Sequence, residues 1–219
     1  MPEIPPLGRH SWFHRWIAYP VMKALLRFAM LFLGPIKVIG RKRVPREGGL
    51  LILANHLSDV DPVVVQLACP RRIHFMAKSD LFEMKGLGAI LRFVRAFPVR
   101  RGEPDRAALK YAIELLKMGE VVCIFPEGQL SPSGDLQPRK PGVSLIIRNS
   151  GANVICMGFR NSNKVMPYGS LKLQRSGTTI PCEWGEPRQF DKSIDSEEIM
   201  GWATEELLQL SGLKAMETA

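Results

Sequence analysis

The sequence predicts an α/β domain, a mainly parallel sheet covered by helices, preceded by an amphipathic helical segment. Three observations lead there. After residue 46, short apolar runs of strand length alternate with stretches of helical spacing. Polar loops marked by Gly or Pro follow those runs. The first 46 residues differ in kind, holding nine Lys or Arg against Glu3 alone, interleaved with Trp, Phe and Leu. At 219 residues and 46% hydrophobic, the chain is long enough to bury a core as one domain with an appendage.

The appendage is read as residues 1–38 and the domain as 39–219. In "SWFHRWIAYPVMKALLRFAMLFLGP", Arg15, Tyr19, Lys23 and Arg27 recur every four residues, one polar stripe on a helix. Trp12, Trp16, Ile17, Val21, Leu25, Phe28 and Phe32 fill the rest. Pro20 ends a first short helix or opens a second, and Gly34-Pro35 stops it. The longest uncharged run here, Phe28 to Ile36, is nine residues, short of the roughly 20 a spanning helix needs. Lys23 and Arg27 also interrupt the apolar region of any secretory signal. The segment is therefore expected to lie in a membrane interface, tryptophans at headgroup depth and cations toward anionic lipid, rather than to pack on the protein's own core. Nucleic acid is not an expected partner: no binding motif is present, the basic residues share their segment with a large apolar surface, and the rest of the chain is nearly neutral.

In the body, "LLILAN", "RIHFMAK", "VVCIFPEG" and "NVICMGF" read as strands. The stretches "PVVVQLAC", "KGLGAILRFV", "PDRAALKYAIELLKMG" and "PGVSLIIRNSG" read as the helices between them. Ala108, Tyr111, Ala112, Leu115 and Leu116 share one helical face, with Gly119 as its C-terminal stop. "SLKLQRSGTTIPCEWGEP" suggests strands around a Ser-Gly turn, and "SEEIMGWATEELLQLSG" a closing helix. Cys69, Cys123, Cys156 and Cys182 have no metal-ligand spacing and read as buried thiols.

Loops at the carboxyl ends of parallel strands gather chemistry. Three fall there: "NHLSDVDP", "FPVRRGEPD" and "FPEGQLSPSG". His56 with Asp61 is a weak signal alone, since Asp61-Pro62 also makes a good helix cap followed by Pro at the first turn. A metal site on His56, Asp59 and Asp61 lacks further ligands, so no metal is expected. A serine hydrolase would need a G-x-S-x-G elbow, which the sequence does not contain.

Taken together, the three loops resemble those of the glycerolipid acyltransferases typified by 1-acylglycerol-3-phosphate acyltransferase. That family carries His, four residues, then Asp, here His56 to Asp61 behind Asn55. A hydrophobic-x-Arg-Gly block follows, placing its arginine at Arg101, and then Phe-Pro-Glu-Gly, here Phe125, Pro126, Glu127 and Gly128. The likeness runs from about Pro35 to Pro187. It implies transfer of a fatty acyl group from a thioester, acyl-CoA or acyl carrier protein, to the hydroxyl of a lysophospholipid, with no cofactor, at the cytoplasmic face of a membrane. His56 would be the general base and Asp61 its orienting partner, without a covalent intermediate. Arg101, with Arg100 as a second candidate, would hold an anionic headgroup. Glu127 and Gly128 would order the acceptor site, supported by Asn55, Ser58 and Pro126. Where the family continues with Thr-Arg-Ser, this chain reads Gln129, Leu130, Ser131. An arginine associated with the acceptor's phosphate is thus replaced, with Lys140 as a possible substitute, and the fourth block, "VICMGF", lacks its usual proline.

Overall fold

The computed structural model describes residues 3–7, 12–100, 105–138, 142–170 and 172–216. Among these residues seven strands form one sheet: β1 (Ile36–Ile39), β2 (Leu50–Ala54), β3 (His74–Lys78), β4 (Phe97–Val99), β5 (Val121–Ile124), β6 (Asn153–Phe159) and β7 (Ile180–Trp184). Their order across the sheet is β1-β7-β6-β2-β5-β3-β4, parallel throughout except for the antiparallel pair β6 and β7. Six α-helices among the described residues cover it: α1 (Tyr19–Leu33), α2 (Asp61–Ala68), α3 (Leu87–Phe93), α4 (Arg106–Lys117), α5 (Gly142–Ser150) and α6 (Ser196–Ser211).

The central strand β2 explains why its sequence is apolar without alternation. All five residues are buried. Leu50, Ile52 and Ala54 enter one core with Met30 of α1 and Val64, Val65 and Ala68 of α2, against which Leu91 and Val94 from the α3 region also pack. Leu51 and Leu53 enter the other, with the apolar faces of α4, α5 and α6. A strand sandwiched between two helical layers has no solvent face to make polar. Gly158 lets α6 press on β6, since a Cβ there would meet Ser211 N at 2.3 Å. The four cysteines are buried thiols.

Three elements differ from the sequence reading. Ile36–Ile39 is an edge strand on β7, so the division at residue 38 falls inside β1. Phe97–Val99, read as loop, pairs with β3. Residues 172–179, read as part of a strand pair, form none, and among the described residues of that stretch only Ile180–Trp184 is a strand. Leu173 is their one large apolar residue and it is exposed, so they have no apolar face to bury against the sheet.

The largest difference concerns α1. A π turn over His14–Ala18 leads into it, as expected where Pro20 lacks the N–H that would bond the Trp16 carbonyl. Of the polar stripe, Tyr19 is buried, and Lys23 and Arg27 turn toward α2. Lys23 Nζ donates to the Cys69 carbonyl at 2.7 Å and Arg27 Nη2 to the Leu67 carbonyl at 3.4 Å. These are open carbonyls at the C-terminus of α2, where cations are favoured. Burial holds the Lys23 ammonium down at about 8. The expectation that Lys23 and Arg27 reach for lipid is thereby corrected. The apolar face points outward instead: Trp12 is 69% exposed, Leu25 65% and Phe28 62%. Trp16–Leu33 is long and apolar enough to cross a bilayer by length and composition alone. Its cations, however, fasten it along the body.

Candidate active site

Parallel pairing of β2 with β5 and β6, Leu53 beside Ile124 and Ala54 beside Met157, brings the loops after β2 and β5 to one end of the sheet. Asn55 continues the β2–β6 ladder with its side chain. Its amide nitrogen donates to the Phe159 carbonyl at 2.9 Å, and its amide oxygen accepts from Phe159 N at 2.9 Å. The chain is thus held to β6 for one more residue before it turns at His56.

The His56 main chain is then gripped from both sides by the loop after β5. Its N–H donates to Glu127 Oε1 at 2.7 Å, and its carbonyl accepts from Ser131 N at 2.9 Å. The imidazole lies parallel to the Phe125 ring, centroids 4.0 Å apart. Nδ1 is 2.9 Å from Asp61 Oδ2. Asp61, fully buried, accepts at that same oxygen from Leu57 N at 2.6 Å and Ser58 N at 2.8 Å. This corrects the helix-cap expectation. Asp61 is the first residue of α2, behind Val60, and no side chain caps the helix; its carboxylate turns back to organise the loop it came from. Its Oδ1 is buried without a hydrogen-bond partner among the described residues. With Nδ1 committed to Asp61, Nε2 has no partner among the described residues, and His56 is 6% exposed. One ring nitrogen is oriented and the other is open, the arrangement of a base awaiting a proton.

Ser58 fastens the far side of the loop, its hydroxyl donating to the Met166 carbonyl at 2.7 Å. Pro126 is buried in the turn closed by Gly128 N to Phe125 O at 3.0 Å, and Gly128 takes the positive φ of 69° that the turn requires. Glu127 does not reach into open space. It is buried, and its second oxygen accepts from Gln137 N at 2.8 Å. Gln137 Nε2 in turn donates to Ser131 Oγ at 3.2 Å. Both carboxylate oxygens therefore fix main chain, one directly behind the histidine. Arg100 is exposed and committed to Asp105, with Nε 3.6 Å from Oδ2 and its N–H donating to the same oxygen at 3.0 Å. Arg101 and Lys140 lie outside the described residues. Among those described, no group of three His, Cys, Asp or Glu is placed to hold a metal.

Sequence reasoning missed the stacking of Phe125 on the imidazole and the parts taken by Ser131, Gln137, Phe159 and Met166. Most of these act through main-chain atoms, which carry no residue signature.

Burial raises the Glu127 carboxyl to about 7, against the pull of the two N–H donors from Gln137 and His56. A carboxyl whose folded value exceeds its unfolded one favours folding at low pH, and that stability is lost as pH rises from about 4.5 to 7. Glu127→Gln, uncharged at every pH, should therefore gain on the wild type by about 3 kcal/mol between those limits. Denaturant unfolding of both proteins across that range checks this. A constant difference would mean that the carboxyl titrates as an exposed one.

The chain's sequence matches the family profile described as Acyltransferase over residues 35–160. It is 32% identical over 152 residues to the 1-acyl-sn-glycerol-3-phosphate acyltransferase of Bacillus subtilis, covering 68% of this chain and 75% of that one. Lysophosphatidylcholine acyltransferase 1 of Danio rerio is 30% identical over 142 residues, covering 60% of this chain and 26% of that protein. The crystal structure of the 1-acyl-sn-glycerophosphate acyltransferase from Thermotoga maritima superposes with a TM-score of 0.74 at 22% identity, over 90% of this chain and 79% of that one. This last likeness, at 22% identity, is one of fold.

Proposed function

The chain belongs to the acyltransferase family, and from that premise we propose that it moves a fatty acyl group from a thioester to the free hydroxyl of 1-acylglycerol-3-phosphate, giving phosphatidate. The observation that carries this reading is the buried His56–Asp61 contact of 2.9 Å with Nε2 left open. An alcohol ionises far above neutral pH, so its proton must leave as its oxygen attacks. His56 Nε2 takes that proton while the oxygen bonds to the thioester carbonyl carbon. Asp61 stabilises the imidazolium, the C–S bond breaks, and the proton passes on to the departing thiolate. Asn55, Ser58, Pro126, Glu127 and Gly128 hold the histidine's peptide and the facing turn. No metal or other cofactor takes part.

The donor is acyl-CoA or acyl carrier protein, and the enzyme works monotopically at the cytoplasmic face, where those donors are found. Its lipid contact is the outward apolar face of α1, supported by the exposure of Trp12, Leu25 and Phe28. Turnover by purified, detergent-solubilised protein, measured with both donors and a panel of lysolipids, tests the reading. No acyl transfer to any lysolipid would leave a lipid-binding protein on this fold.

Arg101, two residues beyond β4, is the proposed phosphate ligand. Charge-assisted hydrogen bonds are worth about 1.5–3 kcal/mol, so Arg101→Ala should cost roughly ten- to a hundredfold in kcat/KM with lysophosphatidate. With lysophosphatidylcholine, which lacks a phosphomonoester, the loss should be small. Equal losses on both acceptors would assign the arginine to the fold or to the donor.

A further inference from the structure

The body's near-neutral total conceals a division along the chain. Residues 136–182 contain seven Lys or Arg and no Asp or Glu, whereas residues 183–219 contain nine Asp or Glu against three Lys or Arg. Within the basic stretch, the described residues of 164–175 close a loop. Gln174 N donates to the Val165 carbonyl at 2.9 Å, Gln174 Nε2 to the Lys164 carbonyl at 3.2 Å, and Ser170 N to the Pro167 carbonyl at 3.0 Å. What the loop turns outward is of two kinds. Tyr168 and Leu173 are more than half exposed, and Lys164, Lys172 and Arg175 are exposed around them. None of the three cations makes an ion pair among the described residues.

The loop adjoins the end of α1. Ser176 N donates to the Leu33 carbonyl at 2.7 Å, and a Cβ on Gly34 would meet Val165 Cγ2 at 2.7 Å and Ser176 Oγ at 3.1 Å. Its base also holds the catalytic loop, through the Met166 carbonyl that accepts from Ser58. We infer that the 164–175 loop is a second membrane contact, with Tyr168 and Leu173 entering the interface and Lys164, Lys172 and Arg175 meeting the headgroups of anionic lipid. This rests on the membrane reading of α1. It supplies what α1 lacks, because the Lys23 and Arg27 side chains are spent on α2. It also sets the His56 loop beside the surface that carries a lysolipid.

The test is flotation of the full chain with two kinds of vesicle, phosphatidylcholine alone and phosphatidylcholine containing phosphatidylglycerol. Juxtamembrane cations contribute about fivefold each in affinity, so the triple variant Lys164→Gln, Lys172→Gln, Arg175→Gln should bind the anionic vesicles about a hundredfold more weakly at low salt. It should bind neutral vesicles as the wild type does, lose its deficit at high salt, and melt unchanged. In Tyr168→Trp made on a Trp12→Phe, Trp16→Phe background, brominated lipid should quench the new indole, while the buried Trp184 stays unquenched. A triple variant that binds anionic vesicles normally, an equal loss on both vesicles, or failure to quench the new indole would each overturn the proposal. Leu25→Ser with Phe28→Ser tests α1 separately. Undiminished binding in that variant would remove the reading of α1 and leave the loop's result standing.

Discussion

His56→Ala should lower turnover by about 10²-fold to 10⁴-fold, the usual contribution of a positioned base, in a protein that still folds. The local contacts explain why the two effects separate. The grip on residue 56 is through its main chain, N–H to Glu127 and carbonyl to Ser131, and neither bond depends on the side chain. Asp61 Oδ2 loses one donor of three and keeps Leu57 N and Ser58 N, so no buried charge is stranded. The cost in stability comes from the space left against Phe125. His56→Asn sharpens the test, since an amide can still donate to Asp61 but takes up no proton at neutral pH. It should be as inactive as the alanine variant and closer to the wild type in melting temperature. Wild-type turnover in either protein would remove the base and the mechanism built on it.

The parts legible in the sequence were those that side chains announce. The unbroken apolar run of β2 and the loop motifs after β2 and β5 identified the central strands, and the parallel alternation brought His56, Asp61 and Glu127 to one end of the sheet. What stayed hidden has physical causes. Main-chain groups of Phe159, Met166 and Ser131 hold the His56 loop, and any residue could supply them. A four-residue spacing revealed the polar stripe of α1 but not which way it faced. Burying Tyr19 and half-burying Lys23 while exposing Leu25 and Phe28 inverts the order of a helix packed in water, and the carbonyls at the end of α2 that Lys23 and Arg27 reach account for it. Residues 172–175 read as part of a strand before the Ser-Gly turn, whereas all four are exposed and none lies in a strand.

Asp61→Asn should abolish most activity, by about 10²-fold or more, while leaving the fold nearly as stable. The substitution is nearly isosteric, and the hydrogen-bond pattern dictates how it sits. Three donors, His56 Nδ1, Leu57 N and Ser58 N, converge on Oδ2 within 2.9 Å, and Oδ1 is buried without a partner among the described residues. An asparagine therefore places its carbonyl oxygen under the three donors and its NH₂ where Oδ1 stood, which keeps the turn. What it lacks is the negative charge that, in the proposed mechanism, the imidazolium needs once His56 has taken the hydroxyl's proton. In a fully buried position little solvent replaces it. Asp61→Ala makes the necessary contrast. It orphans two buried main-chain N–H groups, each costing about 1–3 kcal/mol, and should lose stability as well as activity. Thermal melting and turnover of the two variants side by side decide the residue's role. If the asparagine protein turns over at the wild-type rate while the alanine protein is destabilised, Asp61 only fastens the loop. The charge would then have no part in catalysis, and His56 would act without a partner.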